Sequence, residues 1–202
     1  MKWHSATPMN HDYTEEYANY YHHEMLKTFE TRPYLWSTHV WNCFDFAADA
    51  RDEGGVVGRN NKGLITYDRK LKKDAFYIYK AYWNPEPMVH LCGKRYAQRA
   101  GEEREIKVYT NQDSVVLYLN GEKIAEGAPV DHICRFNVAL KDGLNIFLAV
   151  AGDVKDTMTI RGKTGHLERI QFQEEAYFNS GVMLLNLDKM RQDNIPEKLL
   201  DY

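Results

Sequence analysis

No run of about 18 apolar residues occurs in this 202-residue chain, so no membrane-crossing helix and no membrane partner is expected. An excess of one charge is missing as well. The 26 Lys and Arg are set against 29 Asp and Glu, net −3, which gives no electrostatic basis for nucleic acid or an anionic surface as partner. Cysteine is scarce. Cys43, Cys92 and Cys134 are odd in number and far apart, which argues against a disulfide framework. Met1-Lys2-Trp3-His4-Ser5 is not followed by the apolar stretch of a secretion signal, so a cytoplasmic location is expected. Neither H-E-x-x-H nor D-x-D occurs, and with them go two familiar routes to a metal site. The length suits one or two domains and falls short of the roughly 250 residues of a complete (β/α)8 barrel.

Aromatic residues are plentiful at 13%, with four Trp and 14 Tyr. They serve either core and interface packing or sugar-stacking platforms. Residues 13–31 are expected to form a helix. Asp12 and Glu15 have the form of a capping box, Tyr13, Tyr17, Tyr21, Met25 and Phe29 recur every fourth position as an apolar stripe, and Pro33 stops it. His22-His23-Glu24 invites a metal reading, but neighbours on a helix diverge, and solvated histidines are expected instead. Residues 34–46, with Leu35, Trp36, Val40, Trp41, Phe44 and Phe46, read as a buried strand. A polar loop follows, with Asp49, Arg51, Asp52, Glu53, Gly54, Gly55 and Gly58, the layout of an active-site edge in an α/β protein. A short strand at 63–67 and a helix at 74–83 come next. The helix is expected to turn Phe76, Tyr79, Tyr82 and Trp83 inward and to stop before Pro85.

Asn84-Pro85-Glu86-Pro87 reads as a stiff connector, after which the pattern changes to period two. Ile106 and Val108, then Val115, Leu117 and Leu119, then Phe136, Val138 and Leu140, then Ile146, Leu148 and Val150, then Met158 and Ile160 mark strands. Asn120-Gly121 and Asp142-Gly143 mark turns between them. Short strands at this spacing over 88–162 suggest an immunoglobulin-like β-sandwich.

The runs W-N-C-F-D-F (41–46), D-E-G-G (52–55) and R-N-N-K-G-L (59–64) resemble the last strand and loop of the catalytic barrel of glycoside hydrolase family 2. Bacterial β-galactosidases are the members most alike, and the resemblance runs over roughly residues 3 to 160. It implies an α/β plus all-β fold: the C-terminal part of a TIM barrel at 1–84, then the sandwich at 88–162. It also implies a retaining β-galactosidase, hydrolysing non-reducing β-linked galactosides as small-molecule carbohydrate substrates, with no cofactor and no metal. Such chemistry needs two carboxyl groups about 5 to 5.5 Å apart. In the family these are glutamates on strands that precede Trp3, so no catalytic residue is assigned here and the chain alone is expected to be inactive. The substrate pocket is represented by Trp41, matching the tryptophan under the sugar, and by Asn60 and Lys62. In β-glucuronidase relatives this N-x-K spacing meets the sugar carboxylate. Core packing of Trp41 and a solvated Lys62 are the plainer readings of the same residues. The alternatives are β-glucuronidase-type specificity in the parent enzyme and a non-catalytic carbohydrate-binding or interaction module. Finally, A-Y-F-N-S-G-V-M-L-L-N-L (176–187) and a helix at 188–200 resemble family 8 glycosyltransferases, making 163–202 a strand–helix tail.

Overall fold

The computed structural model describes residues 13–52, 56–100 and 103–163. The first helix, α1 (Glu15–Glu30), lies where periodicity placed it, capped by Thr14, whose Oγ1 accepts from Tyr17 N at 3.0 Å. The expected cap, Asp12, is outside the described residues. The buried face differs from the expected stripe: Glu15, Asn19, His22, His23 and Leu26 are buried, whereas Tyr21 is half exposed. A four-residue spacing drifts by about 40° per step on a 3.6-residue helix, so the tyrosines wind around α1 instead of lining one side. The two histidines, expected in solvent, are therefore turned inward.

Residues 34–46 do not form the expected buried strand. Tyr34, Trp36 and Trp41 are exposed, Trp36 at 96%, and regular pairing is confined to β1 (Phe46–Ala47) against β2 (Arg59–Asn60). A strand needs a partner ladder. For this stretch the described residues offer β2 and single bridges from Ile65 to Phe44 and Lys72, where a short strand at 63–67 was expected. Helix α2 (Asp74–Trp83) has the expected bounds. It buries Asp74, Ala75, Ile78, Tyr79 and Ala81, while Phe76 and Tyr82 are half-buried and Trp83, expected inside, is exposed.

The rest is sheet. The strands are β3 (Val89–Leu91), β4 (Gln98–Ala100), β5 (Glu103–Thr110), β6 (Val115–Leu119), β7 (Glu122–Gly127), β8 (Ile133–Ala139), β9 (Gly143–Ala151) and β10 (Val154–Lys163). They form a five-stranded sheet, β4-β10-β9-β6-β7, and a three-stranded sheet, β3-β5-β8. All pairs are antiparallel except β4 with β10. Most period-two residues do what alternation requires; on β9 the inward residues are Phe147, Ala149 and Ala151, while Ile146 of the expected set is 52% exposed. Val115, Leu117 and Leu119 face inward and pack with Ile106, Phe147 and Ile160 between the sheets. Asn120 and Gly121 both have positive φ, 52° and 90°, the tight hairpin turn that an Asn-Gly pair favours. Fully buried Asn145 holds the β8–β9 turn through Lys141, donating to its carbonyl at 2.8 Å and accepting from its amide at 2.9 Å.

A second apolar cluster joins the helices to this sandwich: Leu26, Ile78 and Tyr79 pack with Cys92, Tyr109 and Ile133. Around it runs a seam of paired charges. Arg95 Nη2 meets Glu15 Oε2 at 2.6 Å, Lys107 meets Glu16, and His90 Nε2 lies 2.8 Å from Asp74 Oδ1. Every described residue belongs to one compact unit, 1–170.

Candidate functional site

The polar stretch 59–63 is a turn built around a buried ion pair. Lys73 immediately precedes α2 and is 2% exposed; Asp45 immediately precedes β1 and is 4% exposed. Lys73 Nζ donates to Asp45 Oδ1 at 2.7 Å and to the Asn61 carbonyl at 2.9 Å. The same carboxylate oxygen accepts from Gly63 N at 2.9 Å. Burial pulls the Lys73 ammonium below its usual pKa, and the Asp45 contact opposes that pull. A Cβ on Gly63 would stand 2.2 Å from Asp45 N, so only glycine allows this approach.

The three residues singled out in the sequence are tied to this frame, Asn60 and Lys62 directly and Trp41 through Phe46. Trp41 is 64% exposed and meets Phe46 edge-on, with ring centroids 5.5 Å apart. Phe46 stands opposite Asn60 in the β1–β2 register. Asn60 is buried, and its Oδ1 accepts from Lys62 N at 3.0 Å, so that oxygen shapes the turn. Lys62 is exposed, its Nζ 5.1 Å from the centroid of the Tyr13 ring. Two further cations lie on aromatic faces nearby, Arg59 over Tyr67 at 4.3 Å and Arg69 over Phe44 at 4.0 Å. An exposed indole can cover a pyranose C–H face, and an exposed ammonium can meet an anionic substituent. Sequence reasoning missed the Asp45–Lys73 pair. Its one signal was a lysine at a helix N-cap, a position that Ser, Thr, Asn and Asp ordinarily fill.

His22 and His23 face separate partners. His22 Nδ1 lies 2.9 Å from Tyr79 Oη, and His23 Nε2 lies 3.3 Å from the Asp131 carbonyl. The group with metal-like spacing is Asp74, His90 and Cys92, all buried, with ligand atoms within 4.8 Å of one another. Each has work already. Asp74 accepts from His90 Nε2, Gly93 N and Asn19 Nδ2, at 2.8, 2.7 and 3.4 Å. Burial would raise its pKa, but the His90 contact and the other bonds hold it below the usual range. Burial pushes the Cys92 thiol well above its usual pKa. The trio reads as a structural knot. A cleft of about 580 Å³ opens elsewhere, between the C-terminal ends of both helices and two sandwich loops. Its wall carries the Tyr82 and His132 rings, 4.2 Å apart, with Lys27 among the carboxylates Glu30, Asp113 and Asp131.

Solved structures share this fold. An FMN-binding β-glucuronidase from Faecalibacterium prausnitzii L2-6 superposes with TM-score 0.77 at 53% identity, over 81% of this chain and 25% of that one. The relatives are glycosidases. A putative β-galactosidase from Bacteroides fragilis superposes with TM-score 0.70 at 34% identity, over 79% of this chain and 25% of that one. Among curated proteins, a Bacteroides fragilis β-glucuronidase is 46% identical over 135 residues, 65% of this chain and 19% of its own length. A putative β-glucuronidase from Formosa agariphila is 33% identical over 131 residues, 60% of this chain and 15% of its own. The chain thus spans under a fifth of these curated relatives. No family model matches it. None of these four proteins carries a glycosyltransferase name, and residues 164–202 lie outside the described residues. Among the described residues no helix is long and apolar enough to cross a membrane.

Proposed function

We propose that this chain is the C-terminal part of a retaining glycoside hydrolase of family 2 that acts on β-glucuronides. On this reading 1–84 completes a (β/α)8 barrel and 88–162 is the sandwich that follows it. Trp41 and Lys62 touch the sugar, and Asn60 shapes the turn between them. The observation that carries the reading is Lys62: an exposed lysine on a turn held by buried groups, with the exposed indole of Trp41 linked to the same β1–β2 pair through Phe46. A carboxylate at C5 of the sugar would gain from that charge, whereas a neutral galactoside would not. The β-glucuronidase names of relatives at 53% and 46% identity support it. So do the exposed Tyr34, Leu35, Trp36 and Phe44, whose apolar area suits a face covered by the rest of a barrel. β-Galactoside specificity is the second reading, supported by the 34% identical putative β-galactosidase. For 163–202 the glycosyltransferase-like tail stands as the sequence-based reading.

A chimera tests the proposal. Residues 13–163 replace the matched region of the 53% identical β-glucuronidase, and hydrolysis of nitrophenyl glucuronide and nitrophenyl galactoside is compared. The expected chimera prefers the glucuronide and loses about a hundredfold in kcat/KM on Lys62→Ala, the cost of a charge-assisted contact. Preference for the galactoside with indifference to Lys62→Ala would reject it. The 202-residue chain by itself is expected to hydrolyse neither substrate.

A further inference from the structure

A backbone group on each side of Lys62 is bound by one buried pair. Asn61, before it, gives its carbonyl to Lys73 Nζ, and Gly63, after it, gives its amide to Asp45 Oδ1. The Lys62 amide itself is bound by Asn60 Oδ1. We propose that Asp45 and Lys73 are positioning residues for Lys62, fixing the direction in which its ammonium leaves the turn. The inference rests on the reading of Lys62 as the contact to a sugar carboxylate.

Stability alone is a poor account of this pair. Taking both charges out of water costs several kcal/mol per ion, and a well-packed apolar pair of similar volume is often as stable or more so. The ammonium also stands at the N-terminus of α2, where the helix dipole disfavours a cation. What an apolar pair could not supply is the three-way junction. One ammonium and one carboxylate tie the segment before β1, the turn at 61–63 and the start of α2 to a common point, within 2.7 to 2.9 Å. Further bonds knit the same segments: Lys73 N donates to the Leu64 carbonyl at 2.9 Å, and Leu64 N donates to the Asn42 carbonyl at 3.1 Å, next to Trp41. The pair sets Lys62 relative to the indole, the geometry a pocket must hold before the sugar arrives.

The test uses the full chain with ¹³C-labelled lysine, the variants Lys73→Met and Asp45→Asn/Lys73→Met, and two probes, sodium D-glucuronate and D-glucose. Lys62 over the Tyr13 ring should show a ring-current displacement of its ε-methylene signal, and that signal should move with glucuronate and not with glucose. Lys73→Met leaves a buried carboxylate unpaired and is expected to melt early. The double variant removes both charges and is expected to stay folded. In it the displacement should vanish and glucuronate should bind about tenfold more weakly, the loss of one charge-assisted bond. A folded double variant with the native Lys62 signal and native glucuronate response would overturn the proposal, as would a wild-type Lys62 signal with no displacement. A displacement that is present in the wild type and lost in the variants, with no response to glucuronate in any of them, would uphold the positioning role and reject the uronate reading.

Discussion

Replacing His22 by Gln should flatten the acid limb of the stability curve. His22 lies on the buried side of α1, 2.9 Å from Tyr79 Oη, and Tyr79 stays a neutral phenol because burial pushes it up to about 12. Burial first, and the charge of Lys73 second, lower the imidazole from 6.5 to about 4. Its folded pKa is depressed, so the unfolded chain takes up a proton that the folded chain refuses. Stability from this group is complete above pH 6.5 and is lost as pH falls toward 4. The loss is about 2 kcal/mol from pH 7 to 5, and about 3 kcal/mol by pH 4. Gln keeps a hydrogen-bonding end near the Tyr79 hydroxyl and does not titrate. Urea unfolding followed by tryptophan fluorescence at pH 7, 6 and 5 is the assay. With an m-value of about 2 kcal/mol/M, the wild-type midpoint should fall about 1 M further than that of His22→Gln over this range. His23 and the carboxylates titrate in both proteins and cancel. Parallel pH profiles for the two would show that His22 is not held neutral by its surroundings, and the reasoning would fail.

Three further outcomes follow from packing. Gly63→Ala should destabilise by about 3 kcal/mol in chemical unfolding, because the new methyl collides with the backbone at Asp45 and Phe44. Trp36→Ala should change stability by no more than about 0.5 kcal/mol, given its 96% exposure, whereas Ile78→Ala, with no exposure, should cost about 2 to 5 kcal/mol. Amide hydrogen exchange should show slow residues in α1, α2 and β5–β10 alike and fast residues at 34–42, where the backbone has few ladder bonds.

The sandwich was legible because period two is a local property: each of β5, β6, β8, β9 and β10 carries its own alternation, and Asn120-Gly121 its own turn. The short β3 and β4 carry too few residues for a pattern, and β7, E-K-I-A-E-G, too little apolar character. The helices were legible in extent and misread in face. Tyr17 and Tyr21 are bulkier than Glu15 and Asn19, yet the polar pair is buried, because its partners, Asp74 N, Arg95 and Asp74 Oδ2, come from 55 to 80 residues away. The stretch 34–46 was misread for a related reason. Its β-formers state a preference, and a ladder partner decides the outcome. At the candidate site, Trp41, Asn60 and Lys62 stood out through the resemblance to glycoside hydrolase family 2, while the Asp45–Lys73 pair, 28 residues apart, carries no local signature.

The charged seam between the helices and the sandwich bears on how the chain can be divided. A cut at the Asn84–Pro87 connector would part Glu15, Glu16 and Asp74 on one product from Arg95, Lys107 and His90 on the other. Both products would also bare apolar surface, Leu26, Ile78 and Tyr79 on one and Cys92, Tyr109 and Ile133 on the other, so each would carry a greasy patch ringed by charge. They should recombine quickly at low ionic strength and drift apart in salt. Only one alignment brings all three pairs into register, so a linker of different length could be borne at this seam while a shifted docking angle could not.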